Sequence, residues 1–300
     1  MNTPFVQLYF TLEPPVKKVA PYGLFAIRSL FQPAFCHVAG CSDGQLRCRG
    51  GIDCPCRAVF EQTLATDPVA LRRYQKPPLP FAFTIPVLPE KSRSGDAIEL
   101  SLVITGAVIS YLDLFIKATL AIFDASGIFR DWRVVSVAAA SIDGTRTHIP
   151  LGAVAGEFAS LPLLSFEELF SGGGGSCARL SVNVQTPLRL LHKGSPVQEV
   201  PFSRLAGALF RRISSLAYYY GREELPHDFK WLARQSQEVV CTRSDLRWVK
   251  RGGSLQGVEG NVEYRGELAD FIPFLLLGSR LNLGKGAAYG MGNYRFSAKW

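Results

Sequence analysis

The sequence predicts an α+β protein made of two tandem ferredoxin-like (RRM-like) domains, the second of which carries a C-terminal glycine-rich loop. The predicted elements run strand, helix, strand, strand, helix, strand, and this order then repeats. A glycine run between two serines, residues 171–176, separates the two copies and is typical of a flexible linker. We therefore expect an N-terminal domain over residues 1–170 and a C-terminal domain over residues 177–300.

The first copy is predicted from alternation and from the helical spacing of apolar residues. Alternating side chains predict a strand over residues 6–12, and apolar spacing predicts a helix over 22–31 that Pro33 should end. Apolar residues over 108–123 predict a second helix packed on the sheet. The remaining strands are expected at residues 81–87, 97–104 and 133–137.

The second copy follows the same pattern after the linker. A strand over residues 180–190 precedes an amphipathic helix over 202–220, in which Leu205, Leu209 and Leu216 lie at apolar positions. Strands are then expected at residues 239–249 and 258–264, with a helix at 268–277 and a last strand beyond Tyr294.

A glycine-rich segment joins the last predicted helix to the last predicted strand. It contains Gly284, Gly286, Gly290 and Gly292, with Lys285 among them. Glycines permit positive φ angles, and successive exposed N–H groups with a lysine charge suit phosphate oxygens. P-loops and dinucleotide-binding loops place a strand before the loop, so the order found here excludes both. The alternative is a tight connection without a ligand.

The composition indicates a globular protein with an anionic partner. Of the 300 residues, 47% are hydrophobic and 19% are charged, so the chain can bury real cores and is not disordered. The net charge of +8 favours nucleic acid as the partner. The most apolar stretch, residues 107–122, contains Asp113 and Lys117 and is too short to span a bilayer. We expect no membrane association and a cytoplasmic location, because the N-terminus also lacks a signal-peptide pattern.

Five of the seven cysteines lie in a short stretch, which we interpret as an insertion over about residues 34–60. In a reducing compartment such a cluster favours a metal site or buried thiols over disulfides. Zinc requires four tetrahedral ligands, usually in two close pairs. The candidate ligands of a structural zinc ion are Cys36, Cys41, Cys48 and Cys54. The alternative is a set of buried or unliganded thiols.

Four stretches of the chain together carry a family resemblance. The most specific runs from residues 257–266 through Gly284-Lys285-Gly286 to Gly290-Met291-Gly292. It is accompanied by Cys54-Pro55-Cys56, by Thr186-Pro187-Leu188-Arg189-Leu190 and by Arg211-Arg212-Ile213. The chain resembles CRISPR precursor-crRNA processing endoribonucleases of the repeat-associated RAMP superfamily.

This resemblance implies two ferredoxin-like domains that bind CRISPR repeat RNA and cut the precursor transcript once, without a catalytic metal ion, to give mature crRNA. A ribose 2′-hydroxyl attacks the adjacent phosphate, which leaves a 2′,3′-cyclic phosphate and a 5′-hydroxyl. The reaction needs a base, an acid and positive charge near the phosphorane. Histidine suits either proton-transfer role.

The resemblance also implies where these groups lie. Family members often carry the catalytic histidine in or just after the first helix, and His37 matches that place, in a predicted loop. His192 is the second candidate, and Tyr22 is a candidate for orienting the hydroxyl or donating a proton. Lys285 is the candidate for contacting the phosphate. The alternatives are a structural or metal-binding His37, an exposed loop His192 and a tyrosine that only packs.

The second domain supplies further candidate RNA contacts, interleaved with Tyr218, Tyr219 and Trp248. They are Arg204, Arg211, Arg212, Lys250 and Arg251, together with Lys285, Gly284, Gly286, Gly290 and Gly292. Residues 245–257 lack the Tyr-Ser pair that relatives of this branch often have. Two other hypotheses therefore stay open: a catalytically inactive RNA-binding subunit of a CRISPR effector complex, and a zinc-organised scaffold for a protein partner.

Overall fold

In the computed structural model the chain divides into two compact units. One contains Pro4–Leu164, and the other contains Met1–Thr3 with Ser165–Trp300. The structure describes residues 2–15, 19–41, 51, 53–74, 76–88, 97–124, 127–152, 158, 160–170 and 177–299.

The N-terminal unit is an antiparallel sheet with helices on it. Its elements are β1 (Pro4–Glu13), α1 (Ile27–Val38), α2 (Pro55–Phe60), α3 (Pro68–Tyr74), β2 (Phe81–Thr84), β3 (Ile98–Thr105), α4 (Leu112–Asp124), β4 (Arg133–Ala140) and β5 (Arg146–Ile149). The strand order is β2-β3-β1-β4-β5, with Leu8 opposite Leu102 on one side and Ala139 on the other. The first four strands have the order of a ferredoxin-like domain, in which the first and third strands are neighbours at the centre.

Aromatic side chains form the core between the two main helices and the sheet. The ring of Phe31 lies 4.9 Å from Phe83 and 5.9 Å from Phe115, and Phe35 lies 5.0 Å from Phe115. The helical segment Gly106–Asp124 is long and apolar enough to cross a membrane, but half of it is buried inside the structure. Its apolarity is explained by the core, because Phe115 belongs to this aromatic cluster.

The prediction that Pro33 ends the first helix is wrong, because α1 continues to Val38. Proline removes one backbone hydrogen bond and costs about 3 kcal/mol in a helix interior. Phe31 and Phe35 flank Pro33 and are fully buried, and burying each such side chain stabilises by about 1.5–3 kcal/mol. Packing of the inner face therefore outweighs the proline on the exposed face. His37 consequently lies in the last turn of a helix and not in a loop.

The C-terminal unit repeats this architecture. It follows the short strand β6 (Leu164–Ser165), which pairs with β1 in the N-terminal sheet. Its elements are α5 (Phe166–Phe170), β7 (Arg179–Leu188), β8 (Leu191–His192), β9 (Ser195–Pro196), α6 (Phe202–Leu216), α7 (Phe229–Glu238), β10 (Val240–Ser244), β11 (Arg247–Lys250), β12 (Gln256–Arg265), α8 (Ile272–Leu281) and β13 (Tyr294–Lys299). The sheet order is β10-β12-β7-β13, again with the first and third main strands at the centre. The predicted α+β class with tandem ferredoxin-like domains is confirmed.

The segment predicted as one strand over 239–249 forms two strands, β10 and β11, and both pair with β12. The interruption lies at Asp245, whose N–H donates to the carbonyl of Asn261 at 2.8 Å. A Cβ atom on Gly260 would lie 2.5 Å from the carbonyl oxygen of Asp245. The sequence shows the glycine but not the backbone that passes over it.

Candidate active site and nucleic-acid interface

The glycine loop between α8 and β13 is fastened to the end of β7. Lys285 donates its N–H to the carbonyl of Arg189 at 2.9 Å, and Gly292 donates to the carbonyl of Pro187 at 3.1 Å. The buried hydroxyl of Thr186 donates to the carbonyl of Gly290 at 2.7 Å and accepts from the N–H of Asn293 at 2.8 Å. The loop is therefore a fixed part of the C-terminal domain.

Two of the loop glycines cannot be replaced without moving the backbone. Gly284 has a φ angle of +78°, and a Cβ atom there would lie 2.6 Å from the carbonyl oxygen of Arg189. Gly292 has a φ angle of +68°, and its Cβ atom would collide with the carbonyl of Leu283. Because both close neighbours are backbone atoms, these positions require glycine for shape.

The expected row of exposed N–H groups is not what the loop presents. Its N–H groups donate mostly to backbone carbonyls of the protein; the donors are Leu283, Lys285, Ala287, Tyr289, Gly290, Met291 and Gly292. Amides that donate in this way are not available to phosphate oxygens. The prediction that these N–H groups bind phosphate is therefore wrong. The loop instead presents the exposed side chain of Lys285 from a rigid base.

Two asparagines, which were not among the candidates predicted from the sequence, hold the glycine loop in place through their side-chain amides. Asn282 is fully buried and donates from Nδ2 to the carbonyl of Ala287 at 2.9 Å. Asn293 donates from Nδ2 to Oδ1 of Asn282 at 3.0 Å. Buried amides that are satisfied in this way rigidify a loop.

The three arginines predicted on α6 divide between two faces of the helix. Arg204 and Arg211 are exposed, and they lie on one face because seven residues make about two helical turns. Arg212 is turned inward, where its Nε atom donates to the carbonyl of Leu281 at 2.9 Å. Burial lowers the pKa of Arg212 to about 10. The prediction that Arg212 contacts RNA is corrected, since its guanidinium anchors α6 to the end of α8.

His192 and Arg204, predicted independently, are brought together by the β8–β9 hairpin and the start of α6. Nη1 of Arg204 lies 2.7 Å from Nδ1 of His192. Arginine can only donate, so the imidazole accepts through Nδ1 and carries its proton on Nε2. The lone pair that a general base would use is therefore occupied in this arrangement.

The remaining predicted cations of this domain lie on β11 and in the turn after it. Lys250 is exposed and lies opposite Gln256 in the sheet register. Arg251 forms an ion pair with Glu259, with Nη2 2.8 Å from the carboxylate oxygen. Arg251 is thus partly neutralised, which makes Lys250 the stronger candidate for a phosphate contact.

In the N-terminal domain, the two predicted catalytic side chains lie at opposite ends of one helical segment. His37 is exposed in the last turn of α1. Tyr22 precedes the 3-10 turn that leads into α1, and its ring lies 5.7 Å from that of Phe25. The helix from Ile27 to His37 alone is about 15 Å long at 1.5 Å per residue. The structure does not bring His37 and Tyr22 together as one acid–base pair.

The structure also reveals a row of three cations on the open face of the C-terminal sheet. Arg179 lies opposite Arg265 on β12 and opposite Lys299 on β13, and all three are exposed. A concavity of about 320 Å³ lies over these strands and is lined by all three, with Ser181, Glu263 and Ser297 among its other residues. Like charges directly opposite one another destabilise a sheet, and a bound polyanion would relieve that repulsion. The register of the strands brings these three residues together, so the row could not be predicted from the sequence alone.

The predicted zinc ligands are only partly assembled as expected. Cys36 is bonded to Cys56, which the prediction left out. The Sγ atoms of Cys41, Cys54 and Cys56 lie within 4.8 Å of one another. Cys48 lies outside the described residues.

The sequence model of the CRISPR-associated endoribonuclease Cas6 family matches residues 182–294, which include β7 and the whole glycine loop. A second family model, described as an N-terminal domain, matches residues 4–148. A search of curated protein sequences finds no match.

Solved structures of Cas6 proteins are similar to this chain. Thermus thermophilus Cas6 has a TM-score of 0.57 at 15% identity, covering 99% of this chain and 100% of that one. A Cas6 product complex has a TM-score of 0.59 at 15% identity, covering 98% and 100%. A partial Cas6-RT-Cas1–Cas2 complex has a TM-score of 0.61 at 14% identity, covering 99% of this chain but 46% of that one. This chain therefore spans less than half of that relative. The recognition made from the sequence is confirmed.

Proposed function

We propose that this chain, a Cas6-type CRISPR processing protein by its family match and its fold, binds CRISPR repeat RNA and cuts the precursor transcript to give mature crRNA. The observation that carries the proposal is the match of the Cas6 endoribonuclease family to residues 182–294. That region holds the glycine loop with the exposed Lys285. The activity takes place in the cytoplasm, where the transcript is made.

We assign the cleavage to attack by a ribose 2′-hydroxyl, without a catalytic metal ion. His37 is the proposed proton-transfer group, because it is exposed on a rigid helix end in the first ferredoxin-like domain. Lys285 is the proposed cation that contacts the phosphate. His192 is the weaker candidate for a base, since its Nδ1 atom already accepts from Arg204.

The reaction is tested with the purified 300-residue chain, cognate repeat RNA and EDTA. One cut should appear, with a 2′,3′-cyclic phosphate on the upstream product. A matched RNA with a single 2′-deoxynucleotide before the scissile phosphate should bind equally and stay uncut. Cleavage of the deoxy substrate would show that another nucleophile acts. A strict requirement for added divalent metal in the assay would contradict the metal-free mechanism.

The role of His37 is tested against a matched histidine of the same domain. His37→Ala should slow cleavage by about 10²- to 10⁴-fold, the usual contribution of a general acid or base. RNA affinity should stay within about twofold, because none of the arginines and lysines proposed to contact phosphate is altered. His148→Ala, at an exposed position on β5, should leave both quantities unchanged. Unimpaired cleavage by His37→Ala would move the catalytic role to another residue.

A second candidate function is an RNA-binding subunit without catalysis. It is favoured by the separation of Tyr22 from His37 along the helical segment and by the absence of a Tyr-Ser pair in residues 245–257. Tight binding with no product at any protein concentration would support this function. Copurification with other CRISPR proteins would then test whether the chain works inside a larger complex.

A further inference from the structure

Four cysteines lie at or near the end of α1 and the start of α2. The Sγ atoms of Cys41, Cys54 and Cys56 lie within 4.8 Å of one another. Cys36 joins them, since its sulfur is bonded to that of Cys56 and the two Cα atoms are 5.5 Å apart. From these positions we propose that the reduced chain binds one structural Zn²⁺ ion through these four thiolates.

The spread of the sulfurs fits a tetrahedral site. Zn–S distances of about 2.3 Å place the four sulfurs about 3.8 Å apart around the ion. The sulfurs of Cys41, Cys54 and Cys56, which lie within 4.8 Å of one another, therefore need to approach by up to about 1 Å. The sulfurs of Cys36 and Cys56, which are bonded, need to move apart after reduction, and side-chain rotation can supply both changes. Four thiolates fill every position of a tetrahedral zinc ion. The site is accordingly structural, with no open position for a water molecule or a phosphate.

Local backbone structure holds the two halves of the site. Cys36 lies in the last turn of α1, and the N–H of Cys41 donates back to the carbonyl of Cys36 at 2.9 Å. Cys54 is the residue that precedes α2, and Cys56 lies in its first turn. Cys36 and Cys56 are 7% and 2% exposed, while Cys41 and Cys54 are half-buried. Burial of this kind protects thiolates from oxidation once the metal is bound.

The site explains how a very short helix is held in place. At six residues, α2 is far below the length at which a helix is stable alone. Phe60 anchors one end of α2, with its ring 5.4 Å from that of Phe35, and the metal would anchor the other. Zinc coordination of this type contributes directly to folding free energy. It would also fix the turn that presents His37, and this last consequence alone rests on the proposed function.

Metal binding requires the reduced form of the Cys36–Cys56 pair. A cellular dithiol supplies two electrons and two protons to that disulfide and is itself oxidised to a disulfide. Four thiols then bind one Zn²⁺ ion and release four protons to the buffer. The ligand set differs from the one predicted from sequence spacing, because Cys56 takes the place assigned to Cys48.

The first test is metal stoichiometry in the intact 300-residue chain. Protein purified with a phosphine reductant and desalted into metal-free buffer should contain about one zinc per chain by elemental analysis. Replacement of zinc by Co²⁺ should produce the intense visible absorption of a tetrahedral thiolate site. Cleavage activity does not enter this measurement, so failure of the proposed function would leave the result intact.

Variants then decide the ligand set. Cys41→Ser, Cys54→Ser and Cys56→Ser should each lower bound zinc at least fivefold. Cys48→Ser and Cys241→Ser, the latter at an exposed position on β10, should keep the wild-type content. Loss of zinc in Cys48→Ser with retention in Cys56→Ser would overturn the assignment.

A measurement on the wild-type chain avoids the risk that a variant fails to fold. Alkylation of the reduced, metal-loaded protein should modify Cys241 and spare the four ligands, and stripping the metal with a strong chelator should expose them. Reduced protein that holds less than about 0.2 zinc per chain and takes up none on addition would overturn the proposal. A Cys36–Cys56 disulfide that persists in the reductant would overturn it as well.

Discussion

The guanidinium of Arg204 donates from Nη1 to Nδ1 of His192, at 2.7 Å. This contact joins the β8–β9 hairpin to the first turn of α6. Among the residues that the structure describes, the other four N–H groups of the Arg204 guanidinium have no acceptor and can bind one. His192 therefore orients an exposed arginine. We therefore predict that the pair contacts an RNA phosphate and does not transfer a proton.

Replacing Arg204 should accordingly weaken RNA binding and leave the chemical step intact. Arg204→Ala should lower affinity about three- to tenfold, and the slope of log K against log salt should fall by about one. His192→Ala should lower affinity less and should keep the single-turnover rate at saturating protein. Arg130→Ala, an exposed arginine of the N-terminal domain, is the control. A large loss of rate in His192→Ala would restore this histidine as a proton-transfer group.

Removing the central charge from the row of three cations on the open sheet face should raise stability and weaken RNA binding. Arg179→Gln removes the central charge, so repulsion from Arg265 and Lys299 falls and the melting temperature should rise by about a degree or more. RNA affinity should fall at the same time, with a smaller salt dependence. Arg243→Gln removes an exposed arginine of the same sheet that pairs with Asp245 at 2.9 Å, and it should change affinity less. Unchanged affinity in Arg179→Gln would exclude this face from the interface.

Substituting Gly292 should damage the fold of the loop. Gly292→Ala forces a Cβ atom against the carbonyl of Leu283 at a φ angle of +68°, and we expect a loss of about 2 kcal/mol or more in unfolding free energy. Gly253 also has a positive φ angle, +51°, but its Cβ atom would meet open space. Gly253→Ala should therefore cost only about 1 kcal/mol. Equal losses in the two variants, measured by urea unfolding, would contradict the steric explanation.

Stability should decline in mild acid because of His227. Burial lowers the pKa of His227, whose ring stacks on Phe170 at 5.1 Å and whose Nε2 atom is buried without a partner among the described residues. The unfolded chain then takes up a proton near pH 6.5 while the folded chain resists it. Unfolding free energy should be constant above about pH 6.5 and should fall as the pH drops below that value.

The matched variant for this pH effect is His227→Phe. It keeps a ring against Phe170 and Phe274 and removes the titrating group. Its unfolding free energy should depend less on pH between about 5 and 7 than that of the wild-type chain. Identical pH profiles for the two proteins would show that other groups cause the acid sensitivity.

The features predicted best from the sequence are those that depend on local residue patterns. Alternation and helical spacing gave the order of the main elements, and repetition of that order gave the tandem fold. The glycine loop was correctly placed between the last helix and the last strand because glycine tolerates a backbone shape that few other residues adopt. On α6, Arg212 lies three residues after Leu209 and four before Leu216, so its inward position was readable from the same spacing.

The sequence by itself determined the fold class, the recognisable family motifs and the positions of candidate side chains along the chain. Only the tertiary structure decided which of them meet, because register and packing are set by contacts between distant segments. Register put Arg179 between Arg265 and Lys299, and packing of Phe31 and Phe35 carried α1 past Pro33 to His37. The tertiary structure also brought Cys56 into the cysteine cluster, because the end of α1 lies near the start of α2. The spacing of the cysteines along the chain does not predict that contact.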